Sequence, residues 1–325
     1  MVITCFASSI RTFAHTLTPT PVTMSSKLES KARFESTVFG FLRRQFTKPK
    51  PFPYNIQLTD QVAIVTGSNV GLGLEASRQL LQLGLSHLVM GVRSQDKGDT
   101  AAEALRKEFP RSTISVWLVD LESYDSIRAF ADRCATLPRI DLAILNAALI
   151  KQSFTTVAST GHETSMQVNY LSTALLATLL LPILKAKKKS NSTTRPPVLT
   201  LVVSDLAYTV KVETKCAVLP QFDRPEGFGP LPSYAKSKLL LTFFAAKLAE
   251  FASPNDVLVN LVNPGMTKGT GLVRETPTIL GIFVSIAQAL LARSVKVGAT
   301  TYIDAVVARG EESHGCFISD WAIKP

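Results

Sequence analysis

Between residues 62 and 265 the chain switches repeatedly between two kinds of apolar pattern, and this rhythm constrains the fold more than any other feature. VAIVTG (62–67), HLVMGVR (87–93), TISVWLVDL (113–121), IDLAILNAA (140–148), PVLTLVVS (197–204) and VLVNLVNPG (257–265) are short, nearly continuous apolar runs. Runs of that length without alternation fit strands buried on both faces. The stretches 71–83, 96–108, 123–136, 163–185 and 234–252 between them carry helical apolar spacing. Strand and helix in turn predict an α/β protein: one doubly wound parallel sheet with helices on both faces. No internal repeat breaks the rhythm. A single domain is expected over 58–325, behind an N-terminal extension (1–57) that is partly disordered or amphipathic.

Composition narrows the function. With 325 residues, 46% of them hydrophobic and 8% aromatic, the chain has ample material for a large aliphatic core. Cys5, Cys134, Cys216 and Cys316 lie far apart, and the four histidines are equally scattered. That pattern supports neither a metal site nor a disulfide framework, and points to a reducing, cytoplasmic setting. The net charge of +10 is concentrated in residues 1–50, which hold eight Lys or Arg against two Glu. KAKKK (185–189) runs into the polar SNSTTRPP and reads as a solvated basic loop. Without interleaved aromatics, no nucleic-acid partner is expected.

The first residues are Ser/Thr-rich with no acid before Glu29, a weak organelle-targeting pattern, while Met24 opens an alternative start. FLRRQFTKPKPFP (41–53) reads as a short amphipathic segment followed by a proline-rich linker. TPTILGIFVSIAQALLA (276–292) is uncharged and mostly apolar, yet shorter than the ~20 residues of a membrane span. A core helix and a peripheral membrane contact shared with the basic N-terminal segment both fit it.

Chemistry begins at TGSNVGLG (66–73). Glycine at a strand-to-helix junction allows a sharp turn and lets a phosphate approach the helix N-terminus, where free N–H groups favour negative charge. The spacing Gly67–Gly71–Gly73 differs from the common GxGxxG, so its place on the first strand carries the argument. The second strand ends in GVRS. Arg93 stands where an NAD site places a carboxylate on the ribose and where an NADP site places an Arg for the 2′-phosphate. NADP(H) is therefore favoured, with Asp96 reaching back to the ribose as the alternative. PSYAKSKLLL (232–241) sets Tyr234 and Lys238 four apart, on one helix face. A neighbouring ammonium is expected to lower the phenol pKa, making Tyr234 a proton donor or acceptor at a carbonyl oxygen.

Taken together and in order, these motifs resemble the short-chain dehydrogenase/reductase family over roughly 58–325. TGSNVGLG (with Gly67, Ser68, Asn69, Gly71, Leu72 and Gly73) is similar to its TGxxxGxG loop. VDL is similar to its adenine-flanking element (Asp120, Leu121), and NAA to its NAG, with Asn146 supporting the central sheet. Asn169 in MQVNYLS resembles the asparagine that holds a proton-relay water. YAKSK supplies Tyr234 and Lys238, and NPG (263–265) resembles the turn after the sixth strand.

The resemblance implies a single-domain Rossmann-type fold, with Tyr234 as acid/base, Lys238 tuning it and holding the nicotinamide ribose, and a Ser polarising the carbonyl. Ser204 is favoured for that last role, because some relatives read Ser-Ser-Asp/Glu. If Ser204 matches the first serine of a pair, Asp205 would occupy the catalytic place and would repel a developing oxyanion. Pro264, Gly265 and Thr267 would line the cofactor, with Thr270 an alternative to Thr267. The long 204–234 insertion would wall the substrate cleft, and 266–295 would form the lid.

A narrower likeness, carried by FLRRQF, the long insertion and ESHGCFISD, is to fungal reductases of secondary metabolism and retinol-dehydrogenase-like members. The implied activity is NADP-dependent hydride transfer to or from a hydrophobic ketone, aldehyde or secondary alcohol. By the same likeness, helices 163–185 and 234–252 would pair in a homodimer. A non-catalytic NADP-binding interaction protein is the competing reading. A methyltransferase would not need the Tyr/Lys pair.

Overall fold

The computed structural model describes residues 24–188, 195–270 and 291–325. Most of the expected lid, the end of the basic loop and residues 1–23 lie outside that set. Short helical turns at Met24–Lys27, Glu29–Lys31 and Ala32–Glu35 lead into α1 (Val38–Phe46). The alternation then runs β1 (Val62–Thr66), α2 (Gly71–Gln82), β2 (His87–Val92), α3 (Gln95–Glu108), β3 (Thr113–Leu118), α4 (Tyr124–Ala135) and β4 (Leu142–Leu145). It continues with α5 (Thr164–Lys187), β5 (Val198–Val202), α6 (Pro230–Ala249), β6 (Leu258–Asn263), α7 (Val295–Ile303), β7 (Phe317–Ser319) and β8 (Ala322–Lys324).

These strands form one sheet in the order β3-β2-β1-β4-β5-β6-β7-β8, parallel except for β8, which runs antiparallel to β7. The chain builds outward from β1 to β3 and then returns to place β4 beside β1. The loops after β1 and β4 therefore diverge to opposite faces and leave a crevice at the C-terminal ends of the strands.

Period-two geometry divides the core. Val62 and Ile64 face a cluster with Ile127, Phe130, Leu176, Leu180, Leu241 and Ala245 on α4, α5 and α6. Ala63 and Val65 face the other way, toward Leu80, Leu105, Ala299 and Tyr302 on α2, α3 and α7. Each fully buried aliphatic side chain contributes about 1.5–3 kcal/mol, so both faces hold the sheet. Among the described residues α5 is long and apolar enough to cross a membrane by length and composition. Its buried face (Leu176, Ala177, Leu180, Leu184) instead forms core.

Several strands are shorter than their apolar runs. TISVWLVDL pairs only to Leu118, IDLAILNAA only over Leu142–Leu145, and VLVNLVNPG stops at Asn263. The trailing residues, buried at Val119, Leu121 and Pro264 and half-buried at Asp120, Asn146, Ala147, Ala148 and Gly265, form the crest of the sheet. Helix α6 begins at Pro230, earlier than its spacing suggested. Gly229 is its N-cap, and prolines in a first turn forfeit no intrahelical bond. β7 and β8 were not foreseen: each is three residues long, joined through Asp320 and Trp321 at φ 45 and 58.

The N-terminal segment is bonded into the far edge of this sheet. The Phe317 N–H donates to Ser25 Oγ (3.1 Å). Lys324 pairs with buried Glu35 (3.1 Å), which also pairs with Arg44 of α1 (2.6 Å).

Candidate active site

The crest after β1 is built for close approach. Gly67 and Gly71 have φ of 66 and 59, and a Cβ at Gly73 would lie 2.4 Å from the Gly67 carbonyl oxygen. Glycine is required at all three positions. Val70, the N-cap of α2, is extended and provides no side-chain cap, and the first turn carries no acid. The first-turn N–H groups thus have neither an intrahelical nor a capping partner, which is the condition for anion binding. Ser68 beside them is buried with an unpartnered hydroxyl, and Asn69 is half-buried.

Asn146 latches this crest to β4. Its backbone N–H donates to Thr66 Oγ1 (3.0 Å), its Nδ2 to the Thr66 carbonyl (2.9 Å), and its Oδ1 accepts from the Tyr302 hydroxyl (3.1 Å). From the other side, Gly265 (φ 72) turns the chain after Pro264. Thr267 is buried and donates to the Gly265 carbonyl (3.1 Å), and a Cβ on Gly298 of α7 would meet its Oγ1 and Leu72 Cδ2 at 2.7 and 2.9 Å. A Cβ on Gly71 would lie 2.8 Å from the Thr270 carbonyl oxygen, so the loop after β6 overlies the glycine loop.

Arg93 follows β2 directly and is exposed, pairing with Glu122 at 3.1 Å. Asp120 Oδ1 accepts from the Glu122 N–H (3.0 Å), and Leu121 is buried beside it. Asp96 lies in the first turn of α3.

The Tyr/Lys pair lies on the core face of α6. Tyr234, Lys238, Leu241 and Ala245 are all buried on one stripe, so the helix face that packs the sheet becomes chemical at its N-terminal end. Tyr234 lies near enough to Ser204 for that hydroxyl to favour its charged form, and Ser204, which follows β5, itself accepts from the Leu206 N–H (3.3 Å). Lys238 Nζ donates to the Val202 carbonyl (2.8 Å) and lies 5.8 Å from the Tyr234 ring centroid. Burial dominates the ionisation of both. It pushes the Tyr234 phenol well up, against the downward pull of Ser204, with Asp205 adding to the rise. It also pushes Lys238 down to about 7. This corrects the expectation of an ammonium lowering the phenol: desolvation opposes charge on each partner before either can favour it on the other.

Asn169 sits in a π-type turn of α5 (Gln167–Ser172), fully buried. Its Oδ1 accepts from the Leu149 N–H (2.9 Å), while its Nδ2 donates to the Leu149 carbonyl (2.8 Å) and Ser237 Oγ (3.2 Å). The side chain is spent on clamping the β4 crest to α6. Asp205 meets Arg44 of α1 at 3.4 Å.

Parallel topology thus gathers the glycine loop, Asn146, Ser204 and Pro264–Thr267 at one edge of the sheet. Arg93 and Asp120 lie on the same edge, about three strand spacings (roughly 14 Å) and four strand spacings (roughly 19 Å) from Ser204. Arg44, Arg293, Gln45, Thr66 and Tyr302 were not singled out in the sequence, since each acts through a partner far along the chain. Among the described residues no cluster of His, Cys, Asp and Glu could hold a metal.

Comparison with known proteins agrees with this geometry. The short chain dehydrogenase family matches residues 61–192. The short chain dehydrogenase virL of Hypocrea virens is 61% identical over 93% of this chain and 88% of its own. The short chain dehydrogenase opdN of Penicillium oxalicum is 45% identical over 93% of this chain and 100% of its own. Among solved structures, the short chain dehydrogenase from Shigella flexneri superposes with a TM-score of 0.60 at 20% identity, covering 85% of this chain and 95% of that one. A short-chain dehydrogenase from Sphingobium yanoikuyae in complex with NADPH gives 0.57 at 19%, covering 75% and 83%. Near-full-length identity to such relatives, on this fold and with these motifs in order, shows that the chain belongs to the short-chain dehydrogenase/reductase family of oxidoreductases.

Proposed function

We propose that this oxidoreductase transfers hydride between NADP(H) and a hydrophobic ketone, aldehyde or secondary alcohol. The observation that carries the reading is buried Tyr234 beside Ser204 at the end of β5, with Lys238 one turn along the same buried helix face and bonded to the Val202 carbonyl (2.8 Å). The residues present fit a dinucleotide: glycines leave a cradle that side chains would fill, above a helix N-terminus with no cap. Gly67, Ser68, Asn69, Gly71, Leu72 and Gly73 would hold its phosphates, Asp120, Leu121 and Asn146 would flank the nucleoside portion, and Pro264, Gly265 and Thr267 would close over it. Arg93, with no carboxylate before Asp96, favours the 2′-phosphate form. The Sphingobium neighbour, solved in complex with NADPH, has the same fold.

When bound, the nicotinamide supplies or accepts the hydride. Ser204 orients the substrate carbonyl, and Tyr234 gives its proton to the carbonyl oxygen during reduction or takes it back during oxidation. Burial raises the Tyr234 pKa in the free protein, so Tyr234 carries the proton that reduction consumes and oxidation returns. Lys238 supports the phenolate as it forms, and Asn169 fixes the proton-relay region through its hold on Leu149.

The 204–234 insertion supports an apolar cleft. Asp223 tethers it to His162 (2.8 Å), and Phe228 packs edge-on against Phe154 with centroids 5.8 Å apart. High identity to fungal short-chain dehydrogenases supports the narrower likeness to secondary-metabolism reductases. Pairing of α5 and α6 across a homodimer is the expected assembly, with Phe243 outward on α6.

The test is NADPH consumption against a panel of apolar ketones and aldehydes, with Tyr234→Phe alongside. Turnover should fall by roughly 100-fold or more in the variant while NADPH binding persists. Equal turnover in both proteins would refute the assignment of Tyr234. Binding without turnover in either would favour a non-catalytic NADP-binding protein.

A further inference from the structure

Helix α1 carries apolar side chains on both sides: Phe41 and Leu42 are half-buried, while a second apolar stripe lies outward. Its inner face carries Gly40, Arg44 and Gln45, all buried. Gln45 Nε2 donates to the carbonyls of Met266 (2.8 Å) and Leu291 (2.7 Å), and its Oε1 accepts from the Met266 N–H (3.0 Å). Arg44 is held by Glu35 and Asp205. The outer face carries Val38, Phe39 and Phe46, which are 72%, 76% and 64% exposed, with Phe34 42% exposed at its side. Packed surface helices bury their apolar stripe. Here polar bonds hold the helix in place, and the second apolar stripe faces outward.

The charge around that stripe has one sign. Arg33, Arg43 and Lys48 are exposed, and the Arg43 guanidinium lies 5.9 Å from the centroid of the Phe34 ring. Lys50 is half-exposed and reaches Asp304 at 3.5 Å. Between residues 30 and 59 the single carboxylate is Glu35, which is buried in its pairs with Arg44 and Lys324. An outward aromatic and aliphatic stripe fringed by cations, with exposed Glu29 as the nearest acid in sequence and no acid on α1 itself, complements an apolar layer beneath anionic headgroups. A protein groove would need a matching acidic rim, whereas an anionic lipid surface provides both properties everywhere.

We propose that the outer face of α1 is a docking surface for anionic membrane lipid. Phe39, Val38 and Phe46 enter the interface, and Arg33, Arg43 and Lys48 meet the headgroups. Through Gln45 the docked helix is bonded to Met266 in the loop that follows β6, so docking brings this end of the sheet to the lipid. The proposal is independent of the chemistry assigned to Tyr234.

The test is cosedimentation of the full chain with vesicles of phosphatidylcholine alone and of phosphatidylcholine containing one-third phosphatidylserine. Binding to the anionic vesicles, weakened by salt, is expected. Phe39→Ser with Phe46→Ser should lower the partition coefficient by roughly tenfold or more. Arg43→Gln with Lys48→Gln should lower it about fivefold per charge, on anionic vesicles only. All four side chains are exposed, so the thermal unfolding midpoint should not move and serves as the folding control. Three results would overturn the proposal: no cosedimentation, undiminished binding by the phenylalanine variant, or a dimer that this variant dissociates in a chain that ignores vesicles.

Discussion

The carboxylate of Asp205, one residue beyond Ser204, is met by the guanidinium of Arg44 at 3.4 Å across 161 positions of sequence. Arg44 also bonds Glu35 through both its carboxylate (2.6 Å) and its backbone carbonyl (2.7 Å), and stacks over Tyr208 at 5.2 Å. Burial raises the Asp205 pKa, while Arg44 and, more distantly, Arg293 pull it down. A segment outside the alternating α/β pattern therefore compensates the charge nearest the Tyr234–Ser204 pair.

Removing Arg44 should expose that dependence. Arg44→Gln leaves Asp205 buried beside Tyr208 with only Arg293 to favour its charge, a loss of about 3–5 kcal/mol for a broken buried pair. An ionised Asp205 then raises the Tyr234 pKa further, so the pH limb on which alcohol oxidation rises should move to higher pH. Asp205→Asn in the same background should restore both stability and the limb. Denaturant unfolding and pH–rate profiles of the single and double variants check this; a double variant no better than Arg44→Gln would refute it.

Cofactor choice should respond to two residues at the end of β2 and β3. The Arg93–Glu122 pair is exposed and contributes about 0–1 kcal/mol to stability, so an anion can displace it at little cost. Arg93→Ala should weaken NADPH binding by roughly 10-fold to 100-fold, the value of a charge-assisted hydrogen bond, and leave NADH nearly unchanged. Glu122→Gln should strengthen NADPH binding, because it frees the guanidinium. Fluorescence titration of both cofactors decides. Parallel losses for NADPH and NADH would mean Arg93 does not read the 2′-phosphate.

Lys238 sets a pH dependence of stability with a definite sign. Its folded-state pKa lies near 7, below its ordinary value of about 10.4, so above pH 7 the unfolded chain binds the extra proton. Stability from this group should therefore rise as pH climbs from about 7 toward 10. Lys238→Met should flatten that slope and gain stability at neutral pH while losing turnover, measured by chemical unfolding at several pH values. An unchanged slope would place the titration elsewhere.

The homodimer prediction turns on Phe243, which is 61% exposed on α6. Phe243→Asp should convert a dimeric sedimentation profile into a monomeric one without changing the unfolding midpoint. A monomeric parent protein would refute the assembly directly.

How much of this was legible in the chain depends on the range over which each residue acts. The glycine loop could be read because Gly67, Gly71 and Gly73 answer a local need, a turn with positive φ and no room for a Cβ. Tyr234 and Lys238 could be read because four residues of helix bring them to one face. The strand ends could not, since Val119, Ala147 and Val203 are as apolar as the residues before them. Val119 and Val203 still bond the neighbouring strand, to Val92 and Val262 (both 2.9 Å), and Ala147 instead donates to the Thr66 side chain (3.1 Å), so the ladder's end depends on partners across the sheet. The three-residue β7 and β8 carry too short a pattern to announce themselves, and exist because β6 presents an edge to pair.

The sequence by itself determined the doubly wound sheet, the order of its elements and the chemical character of the crevice, because periodicity and local backbone demands are written in neighbouring residues. Only the tertiary structure decided that Asp205 meets Arg44, and that burial raises the Tyr234 pKa. Only it decided that α1 turns an apolar stripe outward. Those outcomes depend on desolvation and on partners 150 or more positions away, and neither quantity exists until the chain has folded.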